Sequence, residues 1–288
     1  MELTLQNSKI SCQVSSLGAE LRSLRRLDRN DEYMWQGDPA IWVGSAPILF
    51  PFVGRMKNAG YMFAGENYLM PIHGFAAGAV FKLEAHTGDS AIFCLRSSAE
   101  TKRIYPFDFT LTVSFSLFMS TLNVHYTVEN LTDGAMYFAI GSHPAFRLPL
   151  DNATLDDYFI EFSKPELAQC YKLEGNLLAS KPVEQVLRFD RRLDLSPTIF
   201  NEDALIFKHI RSRALRLAHR SGATRLTMHM GSAPHLGIWA KPRAPFVCIE
   251  PWHGVDDDAQ SDEALDKKSN VISLRAGELF KTDYTLSI

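Results

Sequence analysis

The sequence predicts an all-β protein, built as a large antiparallel β-sandwich. The first observation is strict alternation: Phe109, Leu111, Val113, Phe115 and Leu117 are apolar, while Thr110, Thr112, Ser114 and Ser116 between them are polar. A period of two is that of a strand with one face buried. After a turn at residues 119–121 the rhythm resumes, with Leu122, Val124, Tyr126 and Val128 opposed by Asn123, His125, Thr127 and Glu129. The two runs therefore form an antiparallel hairpin. The second observation is that short apolar runs recur along the chain, flanked by Gly, Asn, Asp and Pro, at residues 3–5, 10–14, 91–97, 136–140, 159–162, 205–210, 215–218, 226–230, 236–240, 246–249, 271–274 and 280–287. No helical segments alternate with them, which excludes a doubly wound parallel sheet. Only residues 256–268 read as a short helix, opening on Asp256, Asp257 and Asp258. Such acids suit a helix N-terminus, a solvated loop or a calcium site.

The 288 residues are long for one domain, but sandwiches of this size fold as single units, so 1–288 is expected to be one domain. With 46% hydrophobic and 22% charged residues the chain can bury a sizeable core. A net charge of -3 and a pI near 6.3 create no field that would gather a polyanion, so nucleic acid is excluded as a partner. The expected partner is a small neutral or weakly charged molecule. Cys12, Cys94, Cys170 and Cys248 lie far apart with no CxxC pair, which removes zinc-ribbon and thioredoxin readings and leaves buried reduced thiols. The N-terminus carries no signal segment and no run is long enough to span a membrane, so a soluble, cytoplasmic protein is expected.

Four segments break the core pattern. In PILFPFVGRMK, residues 47–57, two prolines interrupt an apolar run before Gly54 and Arg55. Such a segment is irregular, and its guanidinium can fork onto two hydroxyls or a carboxylate. In MPIHGF, residues 70–75, His73 sits among apolar neighbours with a glycine behind it. In GSHPAF, residues 141–146, Pro144 holds His143 extended and should end ladder pairing, leaving an imidazole at a strand terminus. An imidazole with an ordinary pKa of about 6.5 suits reversible proton exchange. In FVCIEPW, residues 246–252, a strand apolar on both faces ends in Glu250. A carboxylate there must be paired, set at a cavity or raised in pKa, which is how a general base is tuned. Trp42, Phe52, Phe75, Tyr137, Phe146, Trp239 and Trp252 are the aromatics that could offer flat platforms to a sugar ring.

Taken with GAEL at Gly18–Leu21, YMWQGDPAIW, DALIF at Asp203–Phe207 and LGIW at Leu236–Trp239, these motifs run in order through nearly the whole chain. The sequence resembles the aldose 1-epimerase superfamily, nearest to its bacterial LacX-like branch. The resemblance implies a galactose mutarotase-like supersandwich with an open cleft on one sheet, and chemistry that needs no metal and no organic cofactor. It implies that Glu250 is the general base and His143, as imidazolium, the general acid. It further implies that Arg55 and His73 bind the ring oxygen and hydroxyls, and that Asp203 holds sugar hydroxyls. The expected partner is then a small-molecule sugar, and the expected assembly a monomer or homodimer. Two rivals share the fold: a hexose-6-phosphate 1-epimerase, drawing on Arg96, Lys102, Arg103 or Arg147 for its phosphate, and a carbohydrate-binding or regulatory protein without turnover. A glycosidase would need a second carboxyl opposite Glu250, where the motifs supply a histidine.

Overall fold

The computed structural model describes residues 1–148, 154–183, 186–187 and 190–288. The expected hairpin pairs Phe109–Phe118 with Thr121–Asn130, from Phe109↔Asn130 to Phe118↔Thr121. Every apolar member of the 109–117 alternation is buried and each intervening Thr or Ser is half-buried. The hairpin lies inside a nine-stranded antiparallel sheet in the spatial order Asp190–Asp194, Tyr158–Glu166, Ala214–His219, Thr224–His229, Leu279–Ser287, Thr121–Asn130, Phe109–Phe118, Ser90–Arg96 and Lys82–His86.

A second sheet runs Gln169–Tyr171, Leu205–Lys208, His235–Trp239, Phe246–His253, Ile140–Ser142 and Ile48–Leu49, with Ala145–Arg147 also paired to Phe246–His253. Ring contacts join the two sheets: Phe162 meets Phe207 with centroids 6.0 Å apart, and His253 meets Phe280 at 5.1 Å. One cluster of buried side chains extends from Leu5 to Leu286. A four-stranded sheet of the N-terminal residues, Glu2–Gln6, Ile10–Ser15, Glu20–Arg26 and Asp31–Glu32, adds Leu5, Ile10, Val14, Leu21 and Leu24 to that core. All four cysteines are free and buried. No helix among the described residues is long and apolar enough to cross a membrane.

Two expectations change. Residues 256–268 form no α-helix; the segment is irregular and ends in a 3-10 turn at Leu265–Lys267. The acids that suggested a helix start are spent on tertiary contacts. Asp256 accepts from the Arg55 amide at 2.7 Å, and Asp257 from Lys268 Nζ at 2.5 Å, the Lys57 amide and Asn270. Asp258 accepts from the Gln260 amide and Ser261 Oγ. Each carboxylate has its own protein donors. Pro144, in turn, interrupts the ladder without ending it. Ile140–Ser142 and Ala145–Arg147 both pair with Phe246–His253 in one unbroken register, and His143–Pro144 is a local gap in the ladder between them. Within the gap the His143 amide donates to Pro47 O at 3.0 Å and the Ile249 amide to Pro144 O at 3.2 Å. Proline has no amide to give the ladder, and the strand resumes as soon as amides return.

Candidate active site

That register sets His143 beside Glu250, which lies on the central Phe246–His253 strand and pairs through its backbone with Gly237 on the far side. His143 Nε2 stands 3.4 Å from Glu250 Oε2, and Glu250 is only 1% exposed. The approach falls outside hydrogen-bond geometry: Glu250 Oε2, His143 Nδ1 and the Trp252 indole Nε1 are all buried without a partner. Each such group costs about 1–3 kcal/mol in a folded protein, so three together describe a floor prepared for a ligand.

Burial pushes the Glu250 carboxyl well above its ordinary range. The Trp252 indole N–H is near enough to soften that rise, while the charges of Asp256 and Asp203 add to it. Burial likewise lowers His143 to about 3, with His73 adding to the effect. Both shifts run against the expected carboxylate and imidazolium, because desolvation penalises charge on both partners.

All five residues singled out in the sequence, Arg55, His73, His143, Asp203 and Glu250, line one cleft of about 360 Å³. His73 has φ of 63°, and its Nδ1 accepts from the Gly54 amide at 3.0 Å. That bond fixes the tautomer with hydrogen on Nε2, and burial, helped by Arg55, lowers its pKa to about 4. His73 is thus a neutral donor. Arg55 NH2 lies 3.7 Å from Asp203 Oδ2 and its NH1 3.9 Å from Asp256 Oδ1. Asp203, with φ of 73°, sits in a turn just before the Leu205–Lys208 strand and keeps its carboxylate partly exposed.

The cleft holds functional candidates that the motifs alone did not assign. Asp256, buried and pushed up to about 6 by that burial, packs against Gly54 so closely that a Cβ there would come within 2.2 Å of its carboxyl carbon. Gly54 has φ of 75°, so the GR motif needs glycine on both counts. The signal available in the sequence was the acidic run itself. Aromatic rings clasp His143: Trp42 lies 5.0 Å away and Trp239 5.6 Å between centroids. The Trp252 indole sits over Gly141 and Gly237, where a Cβ would meet its ring at 2.6 and 2.4 Å. Those two glycines of GSHPAF and LGIW make room for the tryptophan of CIEPW. Of the other proposed platforms, Phe52 and Phe146 are buried in the core, and Phe75 and Tyr137 pack against it.

An antiparallel supersandwich whose central sheet holds an imidazole against a buried carboxyl is of the galactose mutarotase-like class. The chain matches the family model described as Aldose 1-epimerase over residues 1–271, and it belongs to that family. It is 30% identical over 298 residues to the chromosomal protein LacX of Lactococcus lactis subsp. lactis, covering 100% of this chain and 99% of the relative. Among solved structures, a galactose mutarotase related enzyme from Lactobacillus acidophilus is similar, with a TM-score of 0.92 and 32% identity over 100% of this chain and 97% of that one. A galactose mutarotase-like protein from Lactobacillus casei gives a TM-score of 0.91 and 29% identity over 100% and 99%.

Proposed function

We propose that this chain is an isomerase that interconverts the α and β anomers of a free aldose, with Glu250 and His143 as its proton-transfer pair. The observation that carries the reading is the buried pair itself, 3.4 Å apart, with hydrogen-bond capacity left over on both groups. In this reading the pair carries one proton, and passing it from Glu250 to His143 turns the pair into a base and an acid. Glu250 then takes the proton of the C1 hydroxyl while His143 delivers one to the ring oxygen. The bond from C1 to the ring oxygen breaks and the C1 carbonyl forms. Rotation about C1–C2 and the reverse transfers close the ring on the other face, with atoms and protons restored. The reaction is nearly thermoneutral, so a pair that carries its proton on either member serves both directions.

The Nε2–H of neutral His73 and the Arg55 guanidinium would donate to oxygens as charge develops on them. Trp42 and Trp239 would face the C–H surfaces of the ring. A pocket of about 360 Å³ is of the size that encloses one monosaccharide.

An unphosphorylated substrate is supported by where the cations lie. Arg96, Lys102, Arg103 and Arg147, the candidates for a phosphate, do not line the cleft. Arg96 pairs with Glu84 and Lys102 with Asp108. The cleft's own cation, Arg55, already lies between Asp203 and Asp256, and these carboxylates would repel a phosphate. The test is anomer exchange by NMR across a panel of aldoses and their 6-phosphates. Acceleration of at least one free aldose, with no preference for its phosphate, is expected. Saturable binding with no acceleration would leave a sugar-binding protein instead, and a strong preference for the phosphate would overturn the substrate assignment.

A further inference from the structure

One buried group beside the pair has no part in this chemistry. Cys248 and Glu250 are two residues apart on the same strand, so their side chains leave the same face of the sheet. One donor atom each from His143, Cys248 and Glu250 lie within 4.8 Å of one another, and all three residues are buried. In a tetrahedral zinc site of mixed nitrogen, sulfur and oxygen donors, adjacent donor atoms stand roughly 3.3–3.7 Å apart. The separation of 3.4 Å between His143 Nε2 and Glu250 Oε2 already falls there.

We propose that His143, Cys248 and Glu250 form a binding site for a borderline-soft divalent transition ion such as Zn2+, and that the bound ion switches the protein off. The donor set argues for the class: thiolate and imidazole favour Zn2+ or Co2+, whereas Mg2+ and Ca2+ require oxygen donors. Charge argues for the valence. One thiolate, one carboxylate and one neutral imidazole around a divalent ion are neutral overall, the condition under which burial tolerates its charges. Any proton that the thiol or the carboxyl carries passes to solvent on binding, with no change in oxidation state. Glu250 Oε2 and His143 Nδ1 are buried and unpartnered, so the lone pair used on the carboxyl is not taken from an existing hydrogen bond. The inhibition, though not the binding, rests on the acid–base reading above, since the ion occupies both members of the pair.

Titration of the full chain with Co2+ at mildly alkaline pH reads the site directly. A thiolate-to-cobalt charge-transfer band should grow in the near ultraviolet, saturate at one equivalent and vanish when Zn2+ is added. Cys248→Ser should abolish the band and make anomer exchange at least tenfold less sensitive to Zn2+, with activity in metal-free buffer preserved. His143→Gln supplies a second variant that weakens the band by at least tenfold should the serine protein not fold. No band at millimolar Co2+, or an undiminished band in Cys248→Ser, would overturn the site. A band that depends on Cys248 in a protein that exchanges no anomers would keep the metal site and refute the epimerase reading, so the two failures are distinguishable.

Discussion

Replacing Glu250 by Gln keeps the volume of the side chain and removes its proton chemistry. General acid–base catalysis contributes roughly 10²–10⁴-fold to rate. Because the proposed exchange needs both Glu250 and His143, which stand 3.4 Å apart, the loss of one disables it. We expect kcat to fall by about 10³-fold, or about 4 kcal/mol of activation free energy at 1.36 kcal/mol per decade. KM should stay close to its original value, since Arg55, His73 and the Trp42 and Trp239 walls are untouched. Stability should move the opposite way. Burial raises the carboxyl pKa above 4.5, so the folded state keeps a proton that the unfolded state releases. The stability that this carboxyl confers below pH 4.5 is lost as pH rises toward its folded pKa. Gln does not titrate, so E250Q should melt at or above the temperature of the parent protein, with an advantage that grows with pH. Polarimetry or NMR exchange on the preferred aldose gives the rates, and thermal melts across pH give the stability. Undiminished kcat, or a loss confined to KM, would refute the assignment.

His143→Asn should lower kcat comparably with a smaller effect on sugar affinity; a loss confined to affinity, measured by titration calorimetry, would make His143 a binding residue. Gly54→Ala places a methyl within 2.2 Å of the Asp256 carboxyl at a backbone φ of 75°, so it should destabilise by about 1–3 kcal/mol and raise KM through displaced Arg55; an unchanged melting temperature and KM would remove that packing from the account. His73 and His143 are lowered from 6.5 to about 4 and about 3, so below pH 6.5 the folded state binds fewer protons than the unfolded one. Their contribution, complete above pH 6.5, is lost as pH falls through that window toward 4 and then 3. Melting temperature should decline accordingly, and less steeply in His73→Gln; identical slopes would show that His73 carries none of it.

The sandwich was legible in the sequence because its strands are long and half-exposed. Residues 109–117 bury one face and wet the other, and period two survives only in that circumstance. The strand Glu20–Arg26 was missed because its exposed positions are arginines and glutamate around Leu21, Ser23 and Leu24, with a register shift opposite Gln13 and Val14. The short helix Ala99–Lys102 was missed for its length, although its Ser98 capping box is a local signal. At the cleft, Glu250 could be read because a charged residue follows an apolar run, which is a one-dimensional contradiction, although the strand runs on past it to His253. Its distance from His143 could not, because it depends on two strands resuming on either side of a proline. A motif gives residue types, and only the packing around them gives the cost of charge.

The placement of His143 in a mid-sheet gap of the ladder, where a loop would be the simpler device, follows from what the pair must do. A loop histidine would sample rotamers and admit water, and a hydrated carboxyl beside it would ionise at its ordinary pKa. Here the Ile249 amide and Pro47 carbonyl fix His143–Pro144 to the sheet, and the backbone of Gly237 fixes Glu250 from the other side. The Trp252 indole fills the space that Gly141 and Gly237 vacate. These contacts keep Glu250 dry, and dryness both raises its pKa and lowers that of His143. A sugar hydroxyl entering the cleft would supply the hydrogen bonds that Oε2 and Nδ1 lack, and such bonds favour the charged form of either group. Binding would therefore bring the uncharged and charged arrangements of the pair closer in free energy, and the substrate itself would arm the acid and the base.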